Sequence, residues 1–440
     1  MARRRRREAT VGPWAARNGA RPAPVSLVAA VGTTAALAAC GGADAGLEVR
    51  SDVDHEVVAV EATAAVPDAV DATTALGATL VAAGDPTENR VISPASVAVA
   101  LAMLAEGARG QSATVLDGVL GAAGEERTDA YNALQTAVLE YDGDPGSVDE
   151  DDLPERPLLH LANAVVVDEG RDVEGEFLDR LARGYGAGLR VADLSDDSGK
   201  RLLDAWVREH TGGRIDRSAI RPDPDLVLVL QNAVLLAARW QDPFVPELTE
   251  DRPFTLVSGQ EVPVLTMSQR VLAAYTEVRG AQAVRLPYSE GFAMDVVLPP
   301  EGAPPSVPAE DWYRLGQALS GPVATDVLLH LPTVDVRTSA DLVPPLTDLG
   351  LGVLFSYPDA DLTGIAPDLF VGAVAHQATL TVDEEGTVAA ATTEVGVTAG
   401  SAPDPAEPVV MTVDRPFAVR IVHLETGWPL FMGAIADPRG

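Results

Sequence analysis

Of the side chains that most often carry catalysis, this chain has six histidines (His55, His160, His210, His330, His376 and His423) and one cysteine, Cys40. No spacing among them matches a metal-ligand pattern, so neither a metal site nor a cofactor is expected. No G-x-S-x-G turn, HExxH pair, phosphate-binding glycine loop or dinucleotide fingerprint occurs. With 65 acidic residues, two carboxylates close in sequence say nothing about acid and base catalysis. The chain therefore reads as something other than an enzyme. A different chemistry is written between Val382 and Pro416, VDEEGTVAAATTEVGVTAGSAPDPAEPVVMTVDRP. Structureless loops of this length are uncommon in compact domains and are usually functional or disordered. Every second residue from Thr387, through Ala389, Ala391, Thr393, Val395, Val397 and Ala399, is small or β-branched, while the alternate set includes Glu394 and Gly396. A strand with that pattern can bury one face without desolvating a charge. Adding it to a sheet would release on the order of 10 kcal/mol, if a dozen or so ladder bonds contribute about 1 each. A charge on the inward face would cancel several of those. The same residues also suit a flexible Ala/Thr linker or a short frayed helix.

The elements that must position such a segment belong to a chain of 440 residues with 32 basic and 65 acidic side chains, a formal charge of −33. That balance excludes a nucleic-acid binder, because nothing is available to neutralise phosphates. Apolar residues at 47% and charged residues at 22% describe a globular protein, long enough to bury roughly three quarters of its unfolded surface. One cysteine allows no intrachain disulfide. The first 39 residues hold Arg3 to Arg7, Arg17 and Arg21 against Glu8, then an uncharged stretch from Val25 to Ala39 that is too short to span a bilayer. Residues 1–39 are read as a signal peptide whose loss moves the formal charge from −33 to −39. Leu37-Ala38-Ala39-Cys40 resembles a bacterial lipobox, where the leader is cut before a cysteine that receives a diacylglyceryl group. Two acyl chains suffice for stable anchoring. An ordinary leader with a chance cysteine is the other reading, and it gives a secreted protein. Residues 40–67 are acidic and rich in small side chains, as in a flexible tether between an anchor and a folded body.

Residues 68–440 read as one large domain, with Asp142 to Pro157 as an acidic surface loop. Helical spacing covers Val70 to Ala83 and Pro94 to Ala108, the latter opened by Ser93-Pro94. Leu159 to Val167, Leu226 to Leu236, Phe292 to Leu298, Val327 to Leu331, Thr379 to Val382 and Phe417 to Val422 read as strands. Helices first and strands later favour an α+β fold with large sheets.

Glu384-Glu385-Gly386-Thr387-Val388-Ala389-Ala390-Ala391-Thr392 resembles the hinge of a serpin reactive-centre loop. Val413-Asp414-Arg415-Pro416-Phe417 and Pro429-Leu430-Phe431-Met432-Gly433 follow in that family's order. Asn89 to Ser96, Leu161-Ala162-Asn163-Ala164, Thr211 to Ile215, Gln231-Asn232-Ala233 with Arg239-Trp240, and Leu329-His330-Leu331-Pro332 extend the likeness over about 370 residues. It implies the serpin fold, α+β, with large mixed sheets, about eight to nine helices and an exposed reactive-centre loop. It further implies a monomeric suicide inhibitor of serine proteases, covalently joined to its target as the cut loop inserts into the largest sheet. A non-inhibitory serpin acting as a surface binding or chaperone-like protein is the alternative.

Carried over by position, the hinge comprises Glu384, Glu385, Gly386, Thr387, Ala389, Ala390 and Ala391. Ser93, Ser96, Asn232 and His376 match the polar cluster called the shutter, and Trp240 matches the tryptophan beneath the point where the loop enters. Ala237-Ala238 and Ala418 depart from the family's usual residues, as drift within packing. Counting forward from Gly386 reaches Gly400, whereas counting back from Pro416 reaches Pro405, so the loop is about five residues long for its family. The reactive bond is expected after Ala399, Gly400 or Ala402, with Ser401 inside the same window. Small residues there are bait for elastase-like or subtilisin-like proteases. No Lys or Arg lies between Gly386 and Asp414, which disfavours trypsin-like targets. A heparin-like polyanion is not expected as a partner, since the region before Leu159 is acidic. The expected location is extracellular, either anchored to the cytoplasmic membrane through Cys40 or secreted.

Overall fold

A computed structural model of the protein describes residues 47–149, 152–321, 324–387 and 407–440. Cys40, Ala389, Ala390, Ala391, Ala399, Gly400, Ser401 and Ala402 lie outside the described residues.

Among the described residues there are eight α-helices: α1 (Val66–Ala82), α2 (Pro94–Ala105), α3 (Gly110–Leu120), α4 (Gly124–Val138), α5 (Gly175–Tyr185), α6 (Asp197–His210), α7 (Ala309–Leu319) and α8 (Val343–Asp348). They pack around two sheets. The first runs in the order β1 (Leu47–Val49), β4 (Leu189–Ala192), β3 (Leu158–Asp168), β5 (Leu228–Arg239), β13 (Gly386–Thr387), β12 (Ala373–Val382) and β11 (Val334–Asp341). The second runs β14 (Val409–Thr412), β10 (Thr325–Pro332), β7 (Glu261–Val278), β8 (Ala281–Pro287), β9 (Phe292–Leu298), β15 (Phe417–His423), β16 (Pro429–Ile435) and β2 (Arg90–Ile92), with β6 (Glu250–Thr255) paired to β7. This is the expected α+β architecture.

The local reasons are visible in the side chains. Ser93 has extended backbone and its hydroxyl accepts from the Ser96 N–H, while Pro94 takes the first helical position, where no N–H is needed. All twelve residues of α2 are buried, so this helix is core on every face. β5 is buried from Leu228 to Ala238, as befits a central strand covered on both sides. One side faces the main core. The other side lies under α6, where Leu203, Trp206 and Val207 cluster with Ala162, Ala164, Val229 and Ala233.

The segment expected as a tether differs from its sequence reading. From Leu47 onward it is laid against the body: β1 pairs antiparallel with β4, Leu47 opposite Val191 and Val49 opposite Leu189. Further along, the Asn132 amide donates to the Glu56 carbonyl at 2.6 Å and the Val58 N–H donates to Asn132 Oδ1 at 2.9 Å. The reason is backbone pairing. β4 would otherwise end the sheet with a row of open N–H and C=O groups, and a polar segment satisfies these as well as an apolar one.

In the second sheet Asp295 is fully buried between Arg420 and Arg285, at 2.7 and 2.6 Å. These two cations hold its carboxyl below the usual carboxylate range against the opposing effect of burial. Arg420 also lies over the Trp312 ring at 4.7 Å. Asp295→Asn leaves both guanidiniums without their counter-charge in the interior, and is expected to lower the stability to urea by about 3 kcal/mol or more.

Candidate functional site

β5 and β12 run side by side in the same direction, paired from Val229 opposite Ala373 to Val234 opposite Ala378. Above that point the pairing stops. The two strands part, and Gly386 and Thr387 occupy the space between them as β13, antiparallel to both. Thr387 faces Ala238 on one side and Val382 on the other. A parallel pair with an antiparallel stub at its top is a seam that can take a further strand, because continuing β13 downward would be antiparallel to each neighbour.

The residues that seat the stub explain its chemistry. A Cβ built on Gly386 would lie 2.1 Å from the Ala238 carbonyl oxygen, so only glycine permits this approach. Thr387 is 2% exposed and its hydroxyl meets the phenol of Tyr288. This places Thr387 on the inward face assigned to it by the alternation. Asp383 closes the turn before it: Oδ1 accepts from the N–H groups of Glu385 and Gly386 at 2.9 and 3.2 Å. Burial pushes the Asp383 carboxyl up to about 6, outweighing these two bonds, which favour the anion.

Trp240 lies directly beneath. Its indole N–H donates to the Asp383 carbonyl at 2.9 Å, its backbone N–H donates to the Glu385 carbonyl at 2.7 Å, and its ring stacks on Tyr288 with centroids 4.5 Å apart. The Phe244 N–H donates to the Glu384 carbonyl, and the Thr249 hydroxyl donates to the Glu384 carboxylate at 2.6 Å. Glu384, Glu385, Gly386, Thr387 and Trp240 therefore form one constellation. Ala237 and Ala238 are fully buried beside it, small enough to let β13 approach.

Lower in the seam, His376 on β12 stands opposite Asn232 on β5. The Ser93 N–H donates to His376 Nε2 at 3.0 Å, which leaves the ring proton on Nδ1. The Asn232 amide donates to the Ser96 carbonyl at 3.4 Å. Ser93, Ser96, Asn232 and His376 are all completely buried and lie in one hydrogen-bonded cluster. The structure adds Asn163 of β3, whose amide is 2.8 Å from Ser96 Oγ and 2.7 Å from the Asn232 amide. An asparagine inside the run Leu161-Ala162-Asn163-Ala164-Val165 was the available signal, since a lone amide in a buried strand needs a partner. Tyr288 gave no such sign.

Residues 71–438 match the family described as Serpin (serine protease inhibitor), and the chain belongs to it. Leukocyte elastase inhibitor of Bos taurus is 32% identical over 374 residues, covering 80% of this chain and 94% of that protein. Iripin-2 of Ixodes ricinus is 31% identical over 362 residues, covering 80% and 88%. The crystal structure of the thermophilic serpin tengpin in its native state superposes with a TM-score of 0.76 at 24% identity, over 89% of this chain and all of tengpin. That likeness speaks for the fold.

Two outcomes are expected here. Burial lowers His376 to about 3, far below the ordinary histidine value near 6.5. The unfolded chain thus takes up a proton that the folded chain refuses between these pH values, and folded stability falls by about 1.4 kcal/mol per pH unit on descending through that window. Urea midpoints of wild type and His376→Gln, compared near pH 7 and near pH 4.5, should show an acid penalty smaller by about 2 to 3 kcal/mol in the variant. Gly386→Ala should unseat β13 from between β5 and β12, seen as faster amide exchange at Trp240 and Phe244.

Proposed function

We propose that this serpin inhibits serine proteases as a suicide substrate, with residues 388–406 as bait and the seam between β5 and β12 as the acceptor for the cut loop. The observation that carries this reading is the placement of Gly386 and Thr387. The N-terminal end of the loop already sits between the two strands, antiparallel to both, with its first inward residue buried. Extending β13 would exchange one short parallel ladder for two antiparallel ones, a gain of order 10 kcal/mol. The next inward residues, Ala389, Ala391 and Thr393, contain nothing that would be costly to bury. An acyl-linked protease would be carried with the inserting strand before water could release it.

The target class follows from the bait. Between Gly386 and Pro416 the only basic residue is Arg415, and the window Ala399 to Ala402 offers small side chains to a shallow primary pocket, as in elastase-like or subtilisin-like enzymes. The similarity to a leukocyte elastase inhibitor supports the same class. Cys40 is proposed as the lipid attachment point that would hold the inhibitor at a membrane surface.

The test is incubation of the chain from Cys40 onward with elastase-, subtilisin-, chymotrypsin- and trypsin-like proteases, read on denaturing gels and by mass spectrometry of the released C-terminal peptide. A detergent-resistant covalent band with a peptide beginning at Gly400, Ser401 or Pro403 is expected with the first two enzymes. Clean nicking without a covalent band for every enzyme would instead favour a non-inhibitory serpin. Thr387→Arg places a charge on the inward face at the mouth of the seam, and should reduce the covalent band at least tenfold while leaving cleavage intact.

A further inference from the structure

Away from the seam, two histidines fifty residues apart in sequence meet across the boundary between α6 and the first sheet. His210 is the last residue of α6, and His160 lies on β3. Their rings are nearly parallel with centroids 5.2 Å apart, and His160 Nε2 is 2.9 Å from His210 Nδ1. The other nitrogen of His160 is 2.8 Å from Asp142 Oδ1, in the loop before β3. Trp206, one turn back on α6, covers His210 with a centroid separation of 4.5 Å. Arg190 on β4 also acts on His210, as a neighbouring cation. The charged and titratable groups facing His210 are thus His160 from β3, Arg190 from β4 and Asp142 from the loop.

Proton counting decides what this cluster can do. The Asp142 carboxylate only accepts, so His160 Nδ1 carries a hydrogen. A single hydrogen fits between His160 Nε2 and His210 Nδ1. Either ring can own it, so the pair can be neutral or singly charged. Two imidazolium rings would point N–H at N–H across the same gap, with Arg190 adding a third positive charge. The second proton is taken only if the contact breaks.

We propose that His160 and His210 form an acid-released latch that holds the C-terminal end of α6 on the sheet. Burial first, then the charges of His160 and Arg190, push His210 down to about 4 in the closed arrangement, against about 6.5 for a free ring. The released state binds more protons between those two values, so acid favours release, by up to roughly 300-fold over the window. The stretch that follows α6 is fastened to both strands of the seam. Ser218 of that stretch donates from its hydroxyl to Gln231 on β5, and the Gln377 amide on β12 donates to the Arg217 carbonyl. Loosening the end of α6 therefore loosens the cover over the seam. This consequence for inhibition rests on the loop-insertion reading, whereas the latch itself does not.

Hydrogen exchange followed by mass spectrometry on the chain from Cys40 onward separates the two. Amides from 203 to 218 are compared near pH 7 and near pH 4.5, after correction for the intrinsic exchange rate. At least tenfold more opening at the acid pH is expected in wild type. In His210→Gln, which keeps a polar side chain and cannot take a proton, the acid increment should vanish; His160→Asn serves as the second variant if the first does not fold. Unchanged protection of α6 in acid, or a wild-type acid response in both variants, would overturn the latch. Loss of protease trapping after acid treatment in wild type alone would link the latch to the seam. If no protease is trapped under any condition, the loop-insertion reading fails while the exchange data still decide the latch.

Discussion

Everything distinctive in this molecule depends on a short stretch of parallel pairing, Val229 to Val234 against Ala373 to Ala378, in the middle of a sheet whose neighbouring ladders are longer. β3 holds β5 through ten paired residues and β11 holds β12 through eight, while β5 and β12 hold each other through six. The longer ladders on either side, β3 with β5 and β11 with β12, are thus joined to one another across a shorter one. At the top β5 and β12 are already wedged apart by Gly386 and Thr387. In the middle a polar cluster also bridges them, Ser93, Ser96, Asn232 and His376 being buried and Asn163 partly so. A hydrogen-bond network has directional alternatives that a packed aliphatic contact lacks, so it can specify the closed sheet and still be rearranged.

The hinge was legible because its requirements are local. Gly386 is demanded by one close approach to the Ala238 carbonyl, and the two-residue alternation of small side chains states which face is buried. The strands Phe292–Leu298 and Leu158–Asp168 were legible for a similarly local reason, as mainly apolar, β-branched stretches bounded by turn residues. β12 was read only from Thr379, although it begins at Ala373. His376, which accepts from the Ser93 N–H, and Gln377, which donates to the Arg217 carbonyl, interrupt its apolar pattern and so hide the strand that carries them. Tyr288 joins the site through tertiary contacts that have no signature in sequence spacing, whereas Asn163 shows only as a lone amide in an apolar run. The segment after residue 46 reads as a tether in sequence because a strand that pairs only through its backbone need not be hydrophobic.

The charge of −33 sits on a fold whose interior ion pairs are few and specific. Asp295 is held by two arginines in the second sheet, and Glu106 accepts from Arg127, Thr128 and Tyr185 among the helices. Neither cluster includes a residue of the seam, where the Glu384 carboxylate accepts from Thr249 and Glu385 lies 3.9 Å from Arg239 at the mouth while uncharged side chains hold the middle. His376, kept uncharged by burial, is one of those.

The pairing of β1 with β4 has a further consequence for how copies of this molecule can meet. A sheet of this size ordinarily presents two outer rims, and an unprotected rim is where neighbouring molecules join by sharing backbone hydrogen bonds. Here the rim beyond β4 is a strand of only three residues, Leu47–Val49. So short an edge offers a neighbouring copy few backbone groups with which to pair.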